Sequence, residues 1–494
     1  MKIYLTLLLG CIFANMSSAQ FVNFTKEGKQ IVRLDNAGNA VDSHDGKLAY
    51  FNSVYYLYGT SYDCGFEWQN KKAAFCGFKA YSSKDLKHWK DEGFLFDANT
   101  DKWQCRCNGA TYGCFRPHVV YNKKTKKYVL WINSYDNTSG YHVLVSDKPI
   151  GPFKEMAEPK LAINAGLPPG LNNGDHDVFV DDNGTAYLAY TDWKTRGSIV
   201  IEKLSDDYLT GTGEYVKSVT SGATEAPGLF KRKGIYYVLY SDPNCGYCGG
   251  TGTSYKTASS PLGPWSEAKK INDNSCGGQP SFVSVLKYNA DTLYVYGSDL
   301  WNNGAKNESL ANYFWTPLSF DEEGNILAID CSNKSADRFV TEDTSNEKIY
   351  SLKCDIANNV QHMQSFTVKS SGKLEDIVIP LFKNNHPNEN LIFEVYKTGT
   401  NNFPSEESLF RMSIDSNILG WSAKNIVIHP NVQVNKNDHY AFVLRSDATL
   451  GSYGFVYHII KHNFSEKESI SKDGGKTYSQ EPQQSLKFSL HVNE

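Results

Sequence analysis

Beyond its first 19 residues the chain has no run approaching the roughly 20 apolar residues that span a bilayer, so no membrane helix is expected. An excess of one charge sign is missing too: 50 Lys and Arg stand against 54 Asp and Glu, for a formal net charge of −4 over 494 residues. That balance argues against nucleic acid or an anionic membrane as partner. No amphipathic helix of useful length separates the strand-like runs, which counts against a βαβ architecture. A regular metal-finger pattern is lacking as well. Cys105-Arg106-Cys107 and Cys245-Gly246-Tyr247-Cys248 have no matching partner pair, so disulfides are favoured over zinc.

What is present begins with a leader. Lys2, the apolar Ile3 to Ala14 and the small Ser17-Ser18-Ala19 read as a signal peptide over 1–19, so the mature protein is expected to be secreted, soluble and monomeric. Of the 11 cysteines, only Cys11 belongs to the leader, and the rest allow up to five disulfides in an oxidising compartment. Asn23, Asn137, Asn183, Asn307, Asn333 and Asn463 head glycosylation motifs. Aromatic residues make up 13% of the chain, which suits strands and sugar-stacking surfaces.

Five hairpin units then recur. Each pairs an apolar run with a second, Tyr-rich run: Gly46–Phe51 with Val54–Gly59, Pro117–Tyr121 with Lys127–Ile132, Val178–Val180 with Thr185–Tyr190, Ala226–Lys231 with Ile235–Tyr240, and Ser281–Leu286 with Thr292–Gly297. Asp182-Asn183-Gly184 and Lys233-Gly234 mark the turns. All-strand units at this spacing predict radial repetition, a five-bladed β-propeller over 20–340, in preference to a sandwich of hairpins. The composition turns polar from Ser332 to Lys348, the expected linker. Shorter alternating strands after it predict an all-β C-terminal domain over 341–494, a jelly-roll-like β-sandwich that could bind carbohydrate.

The entrances of the hairpins carry the chemistry. Asp45, Asp175, Glu225 and Gln279 occupy matching places before the first strands of units one, three, four and five. Unit two departs, with Phe115-Arg116-Pro117-His118 and no acid. In a propeller such entrances converge, and three carboxyls with an amide would share one pocket. Glycosidic cleavage needs an acid to protonate the leaving oxygen and a base to activate water, roughly 6.5–9.5 Å apart where the anomeric centre inverts. A third acid nearby raises the donor's pKa.

These residues carry a resemblance. His44-Asp45-Gly46, Gly174-Asp175 ahead of Val178–Gly184, and Thr224-Glu225-Ala226-Pro227 together resemble glycoside hydrolase family 43, five-bladed propellers that invert. The resemblance covers roughly Asp35 to Trp315. It implies Asp45 as general base, Asp175 as the acid that tunes and orients, and Glu225 as general acid. Within the family the chain is most similar to the exo-β-1,3-galactanase group, through Asp42–Gly46, Arg116–Asn122, Ser275–Val283 and Gly297-Ser298-Asp299-Leu300-Trp301. That group places a Gln, matched by Gln279, in the base role, with Gly where this chain has Asp45 and Glu where it has Phe115. Either Asp45 or Gln279 therefore activates water. A polysaccharide or oligosaccharide substrate is implied, a β-1,3-galactan first, with α-L-arabinofuranosides or β-xylosides as alternatives, and a non-catalytic sugar-binding propeller as the rival from another class.

His44, Arg116, His118, Asp177 and Trp301 are the candidate substrate contacts, with Trp193 and Tyr240 as further stacking surfaces. The chemistry requires no metal or cofactor. A structural calcium ion could sit near His118, or among Asp175, Asp177, Asp181 and Asp182.

Overall fold

Alternating Tyr, Val, Leu and Ile runs become antiparallel strands wherever a turn residue lets the chain double back. Between the strands Glu225–Arg232 and Ile235–Ser241, Lys233 and Gly234 both take left-handed φ, 48° and 82°. Two such residues form the tight turn whose twist matches the flanking strands, and Arg232 pairs directly with Ile235. The computed structural model describes residues 21–25, 28–164, 173–289, 291–301, 306–331, 349–399, 403–459 and 467–493. The leader, the polar linker and the Asn333 and Asn463 motifs lie outside them.

Five small sheets follow one another. Their first strands are His44–Phe51, Cys114–Asn122, Asn173–Val180, Glu225–Arg232 and Gln279–Tyr288. Four sheets have four strands each, and the fifth has three, ending with Asn312–Pro317. Each first strand lies beside that of the next sheet, and Gln279–Tyr288 lies beside His44–Phe51. Apolar clusters fill the gaps between the sheets. Leu130 and Phe78 pack between sheets one and two, Trp131 and Tyr190 between two and three, and Leu229 and Ile201 between three and four. Phe230 and Tyr296 join sheets four and five, while Trp89 and Trp315 join five and one. Burying each such side chain is worth about 1.5–3 kcal/mol, so every sheet depends on two neighbours. The N-terminal lead adds to the last edge: Asn23 donates to the Trp315 carbonyl and accepts from its N–H, both at 3.0 Å.

That bond bears on glycosylation. Asn23 is buried with its amide nitrogen committed, and the Asn137 and Asn307 amides donate to the Tyr141 and Lys383 carbonyls. Of the motifs among the described residues, only Asn183 presents an exposed asparagine, at the tip of its turn.

Of the up to five disulfides the sequence allows, the structure forms four: Cys64–Cys76, Cys107–Cys114, Cys245–Cys248 and Cys276–Cys331. Cys105 is exposed, Cys354 sits in the sandwich, and neither pairs.

From Tyr350 onward a seven-stranded and a six-stranded sheet share a core of Ile377, Leu381, Phe393, Val395, Phe442 and Phe455. This sandwich grips the segments that flank the first hairpin. The Ala40 N–H donates to the Ala423 carbonyl at 2.8 Å, and the Asp63 carboxylate accepts from the Ser422 N–H at 2.8 Å. Trp421 is fully buried beneath Gly65, leaving no room there for a side chain. The loop Ser61–Phe66 is thus held from below.

Candidate active site

The five first strands share one irregularity at one level. Their ladders slip by one residue between His44 and Lys47, Phe115 and His118, Glu225 and Gly228, and Pro280 and Phe282, and beside Asn173–His176. A β-bulge turns a side chain out of the regular alternation. Asp45, Arg116 and Ala226 sit in these bulges with φ of 53°, 56° and 53°, strained for residues with a Cβ. Gly46 makes the first bulge feasible, because a Cβ there would lie 1.8 Å from the Tyr58 carbonyl oxygen.

The bulges face one cavity of about 210 Å³. Asp45, Arg116, Asp175, Glu225 and Gln279 line it, with Phe115, Trp193 and Trp301 among the ring-bearing walls. The four residues expected at the hairpin entrances are therefore brought together, and Arg116, from the unit that lacks an acid, joins them.

Arg116 is buried and central. Its guanidinium pairs with Asp175 at 2.8 Å and donates to the Ser281 carbonyl at 3.0 Å. Its backbone N–H donates to Asp45 Oδ1 at 3.3 Å. Asp45 also accepts from the Thr60 hydroxyl at 2.7 Å and the Tyr62 hydroxyl at 3.3 Å. Burial pushes the Asp45 carboxyl up to about 7, with the Arg116 charge opposing the rise.

Glu225 goes further, to about 8, because burial and then the Asp175 charge both disfavour its ionised form. Two donors converge on its Oε1: the Cys245 N–H at 2.7 Å and the Gln279 amide at 2.5 Å. The Cys245–Cys248 disulfide closes the short loop that presents that N–H. Oε2 is left to carry the proton.

Trp301 fixes the orientation of Gln279. An indole N–H can only donate. At 2.9 Å from Gln279 it selects the amide oxygen, so the amide nitrogen must face Glu225.

Three expected substrate contacts are corrected. His44 is fully buried behind the cavity, stacked on Tyr313 at 5.0 Å and 3.4 Å from Asp42. His118 and Asp177 pair with each other at 3.1 Å, also fully buried, and Asp177 further holds Lys47 and the Leu229 N–H. None of the three lines the cavity: each lies on a first strand next to a one-residue bulge, and the bulge decides which neighbouring side chain turns to the cavity and which into the packing between sheets. Tyr240 is likewise core. The expected calcium ligands are dispersed: Asp175 serves Arg116, Asp177 serves His118 and Lys47, and Asp181 and Asp182 share Lys231. No group of three metal-ligating side chains occurs among the described residues.

Several residues of the site were given no role by the sequence reasoning, Asp299 entering it only as part of the Gly297–Trp301 motif. Tyr62 and Asp299 secure Asp45, the latter by accepting its N–H at 3.1 Å, and Trp68, Tyr135, Asn244 and Tyr247 complete the rim. Tyr247 lay in plain view inside the Cys245–Cys248 loop. The others come from second strands and connections, where no repeat marks them.

Residues 34–275 match the model of glycosyl hydrolases family 43. A β-D-galactofuranosidase of Aspergillus niger is 28% identical over 297 residues, covering 58% of this chain and 82% of its own. An arabinoxylan arabinofuranohydrolase of Bacillus subtilis is 27% identical over 299 residues, 53% of this chain and 55% of its own. An exo-β-1,3-galactanase structure from Clostridium thermocellum shares the fold with a TM-score of 0.52 at 18% identity, over 94% of this chain and 99% of its own. No helix among the described residues is long and apolar enough to cross a membrane.

Proposed function

Starting from a chain whose residues 34–275 belong to glycosyl hydrolases family 43, we propose that it is a secreted, inverting, exo-acting glycosidase on a neutral galactan, a β-1,3-galactan first, built on a closed five-bladed propeller. One observation carries the proposal. Three carboxyls and one guanidinium surround a single cavity, and one of those carboxyls, Glu225, is held protonated at neutral pH.

Glu225 donates its proton from Oε2 to the glycosidic oxygen as the bond breaks. Asp45 deprotonates the attacking water; its carboxyl, pushed up to about 7, is ionised in a large share of molecules at that pH. Asp175, paired with Arg116, keeps a negative charge near Glu225 and so keeps the proton on it. Gln279 is the weaker candidate for the base role, since its oxygen is occupied by Trp301 and its nitrogen by Glu225. The chemistry uses two carboxyls and a water and requires no metal.

The cavity, about 210 Å³, is smaller than the roughly 300–1,000 Å³ of ordinary ligand pockets. That size suits one terminal sugar ring and supports exo cleavage. The name of the Clostridium thermocellum relative and the Gln279 motif favour galactan. A second reading, a furanosidase acting on arabinofuranosyl or galactofuranosyl ends, is favoured by the carboxylate at Asp45 and by the names of the curated relatives.

NMR of a β-1,3-galactan digest separates the readings. Release of α-galactose as the first-formed anomer supports the proposal. First-formed β-galactose refutes inversion. No release from galactan, with turnover of nitrophenyl arabinofuranoside or galactofuranoside, transfers the assignment to the furanosidase.

A further inference from the structure

The six-stranded sheet of the sandwich turns its outer face away from the core, and that face is not plain. Along Leu391–Thr398, Phe393 and Val395 point inward, so Glu394 and Tyr396 point outward. Along His439–Arg445, Phe442 and Leu444 point inward, so Val443 and Arg445 point outward. Tyr478, from the connection after Glu468–Ser471, and Phe403, ahead of Pro404–Ile414, rise beside them with rings 6.1 Å apart and 23° from parallel. The result is a cleft of about 870 Å³.

Its chemistry is specific. The floor is apolar, formed by Val443 beside Tyr396. Arg445 holds Glu394 through two hydrogen bonds of 3.0 Å, and Glu394 accepts from the Tyr396 hydroxyl at 3.1 Å. Gln361 accepts from the Tyr478 hydroxyl at 3.1 Å. These polar groups are held in place before any ligand arrives, and each keeps unused donors or lone pairs. Two cations, Arg445 and Lys476, face two carboxylates, Glu394 and Asp447, so the lining is neutral in sum. Aromatic faces on an apolar floor, edged by fixed and charge-balanced hydrogen-bonding groups, match a ligand with apolar C–H faces and many hydroxyls.

We propose that this cleft of the C-terminal sandwich is a second carbohydrate site, which binds a neutral oligosaccharide segment independently of the catalytic cavity. The volume, about four times that of the catalytic cavity, suits several rings of a chain rather than one end. The choice of galactan as probe rests on the reading of the propeller; the binding itself does not.

Full-length protein carrying Glu225→Gln, titrated calorimetrically with β-1,3-galacto-oligosaccharides and with arabino-oligosaccharides, tests this. Two binding events are expected. Adding Tyr478→Ala should remove one of them, weakening it at least tenfold, and leave the other unchanged. Asn359→Trp, at an exposed position on the rim, should do the same by filling the cleft, which guards against misfolding of the Tyr478 variant. In the otherwise wild-type enzyme either substitution should leave hydrolysis of a small aryl glycoside unchanged and slow that of polymer several-fold. A single event insensitive to both substitutions with every sugar tested overturns the second site. Loss of aryl-glycoside turnover in the wild-type enzyme would instead count against the catalytic reading.

Discussion

Replacing Glu225 by Gln should cripple turnover and, at neutral pH, make the protein more stable. Folding holds this carboxyl at about 8 against an ordinary 4.5, so the folded chain binds a proton that the unfolded chain has released at pH 7. Stability from this group is therefore lost as pH rises from 4.5 to 8. The linkage amounts to about 3 kcal/mol at pH 7, at roughly 1.4 kcal/mol per pH unit. Gln keeps the Oε1 acceptor for Cys245 and Gln279 and has no proton to lose. The variant's Tm should match wild type near pH 4.5 and exceed it by roughly 5 °C at pH 8. Turnover of galactan should fall by about 10²–10⁴, the usual worth of a general acid. An aryl glycoside, whose leaving group needs less protonation, should suffer less. Thermal melts across pH 4.5–8 and paired kinetics on the two substrates read both effects. A Tm difference that does not change with pH, or equal losses on both substrates, would refute the protonated Glu225.

Four further substitutions separate the roles. Asp45→Asn should lower kcat by about 10²–10⁴, whereas Gln279→Ala should cost less; the reverse order would return the base role to Gln279. Trp301→Phe removes the donor that orients Gln279 and should lower kcat/KM about tenfold, since a buried acceptor left unpaired is worth about 1–3 kcal/mol; unchanged kinetics would show that Trp301 only packs. Trp421→Ala empties the support beneath Gly65 and should destabilise by about 3–5 kcal/mol, loosening Tyr62 on Asp45 and lowering kcat several-fold. Limited proteolysis at Ser61–Phe66 together with steady-state rates would check it, and full activity with a loosened loop would uncouple the sandwich from the site.

The hairpins were legible because their turns are written in residues that accept left-handed φ, such as Lys233-Gly234, and their strands in Tyr and Val. Asp45, Asp175, Glu225 and Gln279 were legible because the repeat places them at equivalent positions. His44, His118 and Asp177 were misplaced for the same reason: a repeat gives a level along the strand, while which side chain faces the cavity depends on the one-residue bulges. Those bulges carry few sequence marks, Gly46 and Gly174 lying inside two of them. Tyr62 was invisible because it acts from an element outside the repeat position, and Asp299 was read only as part of the Gly297–Trp301 motif, without a role. The disulfide pairing was open in the sequence, and so was the sandwich cleft, since its walls come from connections that no period relates.

The unit that broke the pattern explains why the others can work. Two buried carboxyls, Asp45 and Glu225, share one small cavity with the partly exposed Asp175, and burial makes the first two resist ionisation. Phe115-Arg116 brings a guanidinium, not a fourth acid, from the position where an acid was looked for. Arg116 is placed unequally: it pairs directly with Asp175, reaches Asp45 through its backbone N–H, and leaves Glu225 to Cys245 and Gln279. The asymmetry sorts three similar side chains into an ion-paired carboxylate, a carboxyl near 7 and a proton carrier near 8. Moving the cation should re-sort them. Arg116→Met, which keeps an unbranched apolar stem and removes the charge, should raise the Asp45 carboxyl further and shift the ascending limb of the pH–rate profile to higher pH. An unmoved limb would mean that Asp45 takes its protonation state from burial alone.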